Sequence, residues 1–233
     1  MPGQPFDQSD YQVRLEWGVD GLARLAPSDV VVVVDILRFS STVIQAVERG
    51  ETVALDASAR AVARNGATVA EAAARTGALV LIGGLRNASA VARAILGEQR
   101  RRAARTSVAI VAAGELDSRA PGAPLRFAVE DQLGAGAIVD ALGRLGIDHT
   151  SPDAAVAGES FRGLRGAARH LLTASGSGRE LEALGRRDEV LAAATVDAAE
   201  PTRPEAPDDT SAAPGGSVAA VVPVLRDGVF AAL

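Results

Sequence analysis

Along the chain, apolar positions fall in short buried runs separated by stretches of helical period. Val30 to Val34 are five consecutive β-branched residues, the pattern of a strand covered on both faces and therefore parallel to its neighbours. A helix is expected over 40–49, with Ser40 or Ser41 as N-cap and Gly50 just past its end, followed by a short strand at 52–55. Those three elements read as a βαβ unit. Two more alternations follow, a strand at 79–82 before a helix at 88–96, and a strand at 108–112 before a helix at about 127–145. The alternation predicts an α/β fold, a largely parallel sheet flanked by helices and built from βαβ units.

Beyond residue 148 the pattern turns helical, over 153–172, 179–184 and 188–195, and ends in an apolar run at 219–225. Ser177 and Glu180 have capping-box spacing. Residues 198–217, dense in Pro, Ala, Asp, Thr and Gly, carry no apolar period and read as a flexible surface insertion. The expected division is an α/β region over 1–148 carrying the site and a helical region over 149–233 with a final strand, the two being compatible with one continuous domain.

Composition narrows the chemistry. The 233 residues are 48% hydrophobic and 23% charged with a net charge of -5, a globular balance with no apolar run long enough to span a bilayer. The start lacks a secretory pattern, so a cytoplasmic protein is expected. Absence of cysteine excludes disulfides and thiolate chemistry, and two histidines, His149 and His170, are too few for a histidine-rich metal centre. Acidic balance and 3% aromatic content argue against a nucleic-acid surface. All 24 basic residues are arginine, which excludes lysine-based covalent chemistry and favours forked binding of carboxylate or phosphate. The expected partner is a small anionic molecule, with no nucleic acid and no membrane; a homo-oligomer is allowed. The arginines at 100, 101, 102 and 105 read as a solvated surface.

Candidate chemistry concentrates where buried strands end. Asp35, Arg38, Ser40, Ser41 and Thr42 follow the Val30 strand, at the carboxyl edge where open parallel sheets bind ligands. A helix start there presents N–H groups to a phosphate, Arg38 can clamp the same anion, and Asp35 can hold Mg²⁺ or serve as nucleophile or base. The plain alternative is that Asp35 and Ser40 cap the helix and Arg38 pairs with Asp35. Glu130 and Asp131 open a later helix, where Gly134 and Gly136 permit close backbone approach; with Asp35 they make an oxygen-ligand set for Mg²⁺, or merely complement a helix dipole. Glu115 follows another strand as ligand or turn residue. Asn65 and Gly66 read as a turn, Asn87 as a helix cap, and both asparagines can also line an anion pocket. Residues 176–179 resemble a phosphate loop only superficially, lacking a preceding strand.

These segments together resemble a known family. VVVVDILRFSSTV, NGAT, LRNASAVA, the AGE and AVEDQLGAGAIV stretches, SGSGRELEALGRRDEV and VVPVLRDG are similar to the 2-phosphosulfolactate phosphatase (ComB-like) family. The resemblance implies a Mg²⁺-dependent hydrolase that releases phosphate from a small phosphorylated acid such as 2-phosphosulfolactate, on the route to coenzyme M. It implies catalytic roles for Asp35, Arg38, Glu130 and Asp131, substrate contacts from Arg38, Ser41, Thr42, Asn65, Gly66 and Asn87, to which the helix start adds Ser40, and metal ligation by Asp35, Glu130 and Asp131. The family's Gly-Glu-Arg and Asn-Ser-Pro motifs, placed before the NG pair, are absent here. That departure supplies the alternative, an anion-binding or scaffold homologue without turnover.

Overall fold

The computed structural model describes residues 5–118, 120, 122–197 and 220–233, without the side chains of residues 58 and 62. The expected insertion at 198–217 lies outside the described residues. In chain order the elements are β1 (Val13–Trp17), α1 (Gly18–Arg24), β2 (Val30–Val34), α2 (Phe39–Glu48), β3 (Val53–Ala54), α3 (Ala57–Val62), α4 (Arg64–Ala74) and β4 (Leu79–Gly83). They continue with α5 (Ala88–Arg102), β5 (Val108–Ala112), β6 (Glu115–Leu116), β7 (Leu125–Arg126), α6 (Val129–Arg144), α7 (Pro152–Leu164) and α8 (Ala168–Ala174). The last four are α9 (Gly176–Ala183), α10 (Arg187–Ala193), β8 (Pro223–Arg226) and β9 (Val229–Ala232).

Seven strands form one mixed sheet in the order β1-β5-β2-β4-β8-β9-β3, and the fold is α/β as its alternation predicts. β2 runs parallel to β4 and to β5, with Val30 opposite Leu79 on one side and Val108 on the other. All five β2 residues are buried, because helices cover both faces. Val31, Val33, Val80 and Ile82 pack on one side with Val43, Ile44 and Val47 of α2 and Ala67 and Ala70 of α4. Val30, Val32, Val34 and Ile110 face the other side, with Val91 of α5, Leu133 and Ile138 of α6 and Phe161 of α7. Each fully buried aliphatic side chain contributes roughly 1.5–3 kcal/mol, so this double cover is the main source of stability.

Several expectations are corrected. The 52–55 strand is β3, which pairs antiparallel with β9 at the far sheet edge, so β2, α2 and β3 do not make a βαβ unit. Strand β2 instead crosses over to β4. The N-cap of α2 is Arg38 without a side-chain bond, whereas Ser40 and Ser41 lie inside the helix. Gly50 does follow α2, at φ +80°, the conformation that favours glycine there. The helix expected over 153–172 divides into α7 and α8 around a 3₁₀ turn at Arg165–Ala167. At α9 the cap is Ser175, accepting the Gly178 N–H at 3.1 Å, and Ser177 is freed from the expected capping box. Asn65 and Gly66 belong to the first turn of α4 and not to a separate turn.

Two close approaches fix α6. A side chain at Gly134 would collide with Ile36 and Val34, and one at Gly136 with the Ala157 backbone of α7. Glycine therefore lets α6 press onto both β2 and α7. In the basic last turn of α5, Arg101 pairs with Glu98 and Arg102 with Asp29 at the surface.

Candidate functional site

The carboxyl ends of β2 and β5 lie side by side, and each chain turns there into a segment that carries an acid. Asp35 leaves β2 and is buried. Its Oδ2 accepts the Gly66 N–H at 2.8 Å and its Oδ1 accepts the Phe39 N–H at 3.3 Å. The first turn of α4 comes this close because residue 66 is glycine: a Cβ would sit 2.5 Å from Asp35 Oδ2 and 2.6 Å from the Phe39 Cβ.

From the opposite face of the sheet, the first turn of α6 brings Asp131 to the same edge. Its Oδ1 accepts the Ile36 N–H at 2.8 Å and its Oδ2 accepts the Gly114 N–H at 2.9 Å. Gly114 adopts φ +66°, turning its amide toward Asp131 and its carbonyl toward Asn65, whose Nδ2 donates to it at 2.8 Å. Asp35, Asn65, Gly66, Gly114 and Asp131 thus form one bonded assembly across two strands and two helices. The next residue, Glu115, accepts the Ser177 Oγ–H at 3.1 Å, which draws the start of α9 into the site. Glu130 is 3% exposed, and among the described residues no donor is bonded to its carboxylate.

Burial and mutual repulsion dominate the electrostatics. Withdrawal from water, opposed by its two amides and reinforced by the charges of Glu115 and Glu130, raises the Asp35 carboxyl to about 6. Burial, then the charges of Asp35 and Glu130, push Asp131 well above the usual carboxylate range. Burial also raises Glu115, against the Ser177 bond. Arg38 brings a cation to this edge. It is half-buried, no hydrogen bond or ion pair joins its guanidinium to a described residue, and its Nε is a buried atom without any partner. Burial, with the Arg186 charge adding to it, lowers Arg38 from its ordinary value, opposed by Glu189 and Asp35. The expected Arg38–Asp35 ion pair is not formed.

The other sequence candidates divide. Ser40 is fully buried; its Oγ accepts the Asp35 N–H at 2.9 Å and faces the Val33 carbonyl at 3.4 Å, so it braces the β2 end and offers nothing to a ligand. Ser41 donates to the Ile36 carbonyl at 2.8 Å. Thr42 is exposed one turn into α2. Asn87 is also fully buried: its Oδ1 accepts the Gly84 N–H, and its Nδ2 donates to the carbonyls of Ile82 and Val221. Every polar atom of Asn87 is used internally, so its expected place in the anion pocket is corrected to a structural one. Among the described residues no group of three or more acids or histidines converges to hold a metal ion alone. The expected three-carboxylate cage of Asp35, Glu130 and Asp131 is not among such groups, and both oxygens of each aspartate already accept a backbone amide.

Much of the chain that builds this acid-lined edge matches a known family. The model of the 2-phosphosulpholactate phosphatase family matches residues 56–201, well over half of the chain. The chain belongs to that family. No curated protein matches it. The phosphatase-family match takes in Asn65, Gly66, Glu115, Glu130, Asp131 and Ser177; Asp35 and Arg38 precede it and join the same edge by folding. Both histidines fall outside the cluster. His149 lies by the amino end of β1, against Arg105 and Tyr11, and His170 is exposed on α8. Among the described residues no helix is long and apolar enough to cross a membrane.

Glu115 and Ser177 are the members that sequence patterns rank too low. Glu115 reads first as a turn residue and Ser177 as a cap. Only their 62-residue separation closing to one hydrogen bond reveals the pairing. The usable signal is the Gly-Glu pair directly after a buried parallel strand.

Proposed function

We propose that this edge hydrolyses the phosphate monoester of a small phosphorylated acid, such as 2-phosphosulfolactate, with Mg²⁺ as cofactor. The observation that carries the reading is the assembly of Asp35, Glu130, Asp131 and Glu115 beside an arginine with no acceptor of its own. Four acids at one buried edge repel one another, and a divalent cation would relieve that repulsion. Mg²⁺ is usually held by one or two carboxylates together with substrate phosphate and water, a demand that Glu130 with Asp35 or Asp131 fits. When bound, the ion would supply positive charge to the phosphoryl oxygens.

The chain's own groups do the remaining work. Arg38 neutralises phosphoryl oxygens through a fork whose donors are unused. Asp35 and Asp131 tie the loops after β2 and β5 to two helix starts, so the acids stay in place without reorganising when substrate arrives. Glu130 keeps both oxygens open for an ion or an attacking water. Asn65 fixes the Gly114 carbonyl and hence the turn that aims Glu115 into the edge.

The test is phosphate release from 2-phospho-3-sulfolactate and a panel of phosphomonoesters, with Mg²⁺ or with EDTA, by the parent and by Asp35→Asn. Release that requires Mg²⁺ and collapses in the variant supports the reading. Release that survives both changes rejects it, and stabilisation by phosphate esters without any release favours the non-catalytic homologue.

A further inference from the structure

Arg38 carries five N–H donors in a planar fork. Its Nε is the buried side-chain atom that lacks a partner among the described residues, and leaving such a donor unpaired costs free energy that a bound acceptor would recover. Its charged neighbours are Asp35, Glu189 and a second arginine, Arg186, in the connection between α9 and α10. A molecule bound where both arginines exert their charge is best matched by more than one anionic group. Arg186 is meanwhile held by Glu189, with Nε and Nη2 at 2.6 and 2.9 Å from its two oxygens. The side chains of this pair are 34% and 40% exposed, so water screens the bond and either partner can be exchanged for a ligand at small cost.

We propose that Arg186 is a specificity-determining residue: with the substrate's phosphoryl group against Arg38, Arg186 leaves Glu189 and binds a second acid group of the same molecule. This rests on the phosphatase reading above and adds the residue that selects the substrate class. A guanidinium fork matches a carboxylate through two parallel hydrogen bonds. A phosphorylated organic acid therefore engages both arginines, whereas a simple alkyl phosphate engages Arg38 alone and leaves the Arg186–Glu189 pair intact. Glu189 acts as the placeholder that keeps Arg186 oriented between turnovers.

The test compares 2-phospholactate with isopropyl phosphate, which differ only in a carboxylate replaced by a methyl, in Mg²⁺ buffer. The parent is expected to prefer 2-phospholactate. Arg186→Ala should raise KM for 2-phospholactate about tenfold more than for isopropyl phosphate, the worth of a charge-assisted pair near the surface, with kcat changing less than KM. Arg186→Lys should recover part of the loss, and Glu189→Gln should lower KM for 2-phospholactate. Arg186→Gln, closer in size, replaces the alanine variant should that one fail to fold.

Equal losses on both ligands, or none on 2-phospholactate, overturn the proposal while leaving the phosphatase reading standing. If the parent releases phosphate from neither compound, the same comparison is made by thermal shift, and the phosphatase reading is judged by release from 2-phospho-3-sulfolactate. The extra stabilisation by 2-phospholactate should then disappear in Arg186→Ala. A parent that shows no preference for 2-phospholactate in either measurement also overturns the proposal.

Discussion

Asp131 accepts the backbone N–H of Ile36 at 2.8 Å, joining residues 95 positions apart, and its other oxygen holds Gly114 at 2.9 Å. One carboxylate thereby fixes the loop after β2 to the loop after β5. Asp131→Ala leaves two buried amides without acceptors, at about 1–3 kcal/mol each. The expected loss is about 2–5 kcal/mol in urea unfolding, with Asp131→Asn, which keeps one oxygen, losing about half as much. An alanine variant as stable as the parent would show that neither amide depends on Asp131.

Gly66 and Gly136 separate packing from chemistry. A methyl group at Gly66 meets Asp35 and Phe39, and one at Gly136 meets the Ala157 backbone; each alanine variant should lose about 1–3 kcal/mol. Only Gly66→Ala displaces a site residue, so its phosphate release per folded molecule should drop while that of Gly136→Ala is retained. Equal activity in the two variants would mean that the approach of α4 to Asp35 is incidental.

The raised Asp35 carboxyl makes stability depend on pH with a definite sign. Its value is about 6 in the folded protein against 3.8 for the free group, so between these values the folded state binds the proton more tightly. Stability from this group is therefore highest below about pH 4 and falls as pH rises to about 6, a cost of at most about 3 kcal/mol at neutral pH. In EDTA, Asp35→Asn should flatten the pH dependence of the urea midpoint across that window relative to the parent. Identical slopes for both proteins would place the titration elsewhere.

How much of this was legible in sequence depends on the residue. Val30 to Val34 announce a doubly covered parallel strand, because nothing but burial on both faces suits five β-branched residues in a row. β1 stays hidden, since Arg14 and Glu16 break its apolar pattern. Arg14 is nevertheless buried, its guanidinium taken up by the carbonyls of Tyr11 and Ala26. The helix start at Phe39 and the acids at Glu130 and Asp131 could be placed near strand ends. Which of them meet is decided by strand order, and the crossover that sets β5 beside β2 leaves no local trace. Asn87 and Ser40 show the opposite limit: a polar residue at or beside a helix start looks the same whether it faces a ligand or its own backbone.

Ser177 holds Glu115 across the opening between α9 and β6. Removing its hydroxyl should cost only about 0.5–1.5 kcal/mol in stability. If Glu115 works in the site, Ser177→Ala should reduce phosphate release by more than its unfolded fraction explains, and Ser177→Thr should restore it. Release that simply tracks the folded fraction would make the Ser177–Glu115 bond a structural tie.

The most direct test of the site is Glu130→Gln. Glu130 is buried, bonded to no described donor, and Gln matches its shape, so the substitution changes charge and leaves packing alone. Phosphate release from 2-phospho-3-sulfolactate in Mg²⁺ should fall at least about 100-fold, while the thermal midpoint holds or rises through relief of repulsion with Asp35 and Asp131. A Glu130→Gln protein that releases phosphate at the parent rate would contradict the acid cluster as the seat of the activity.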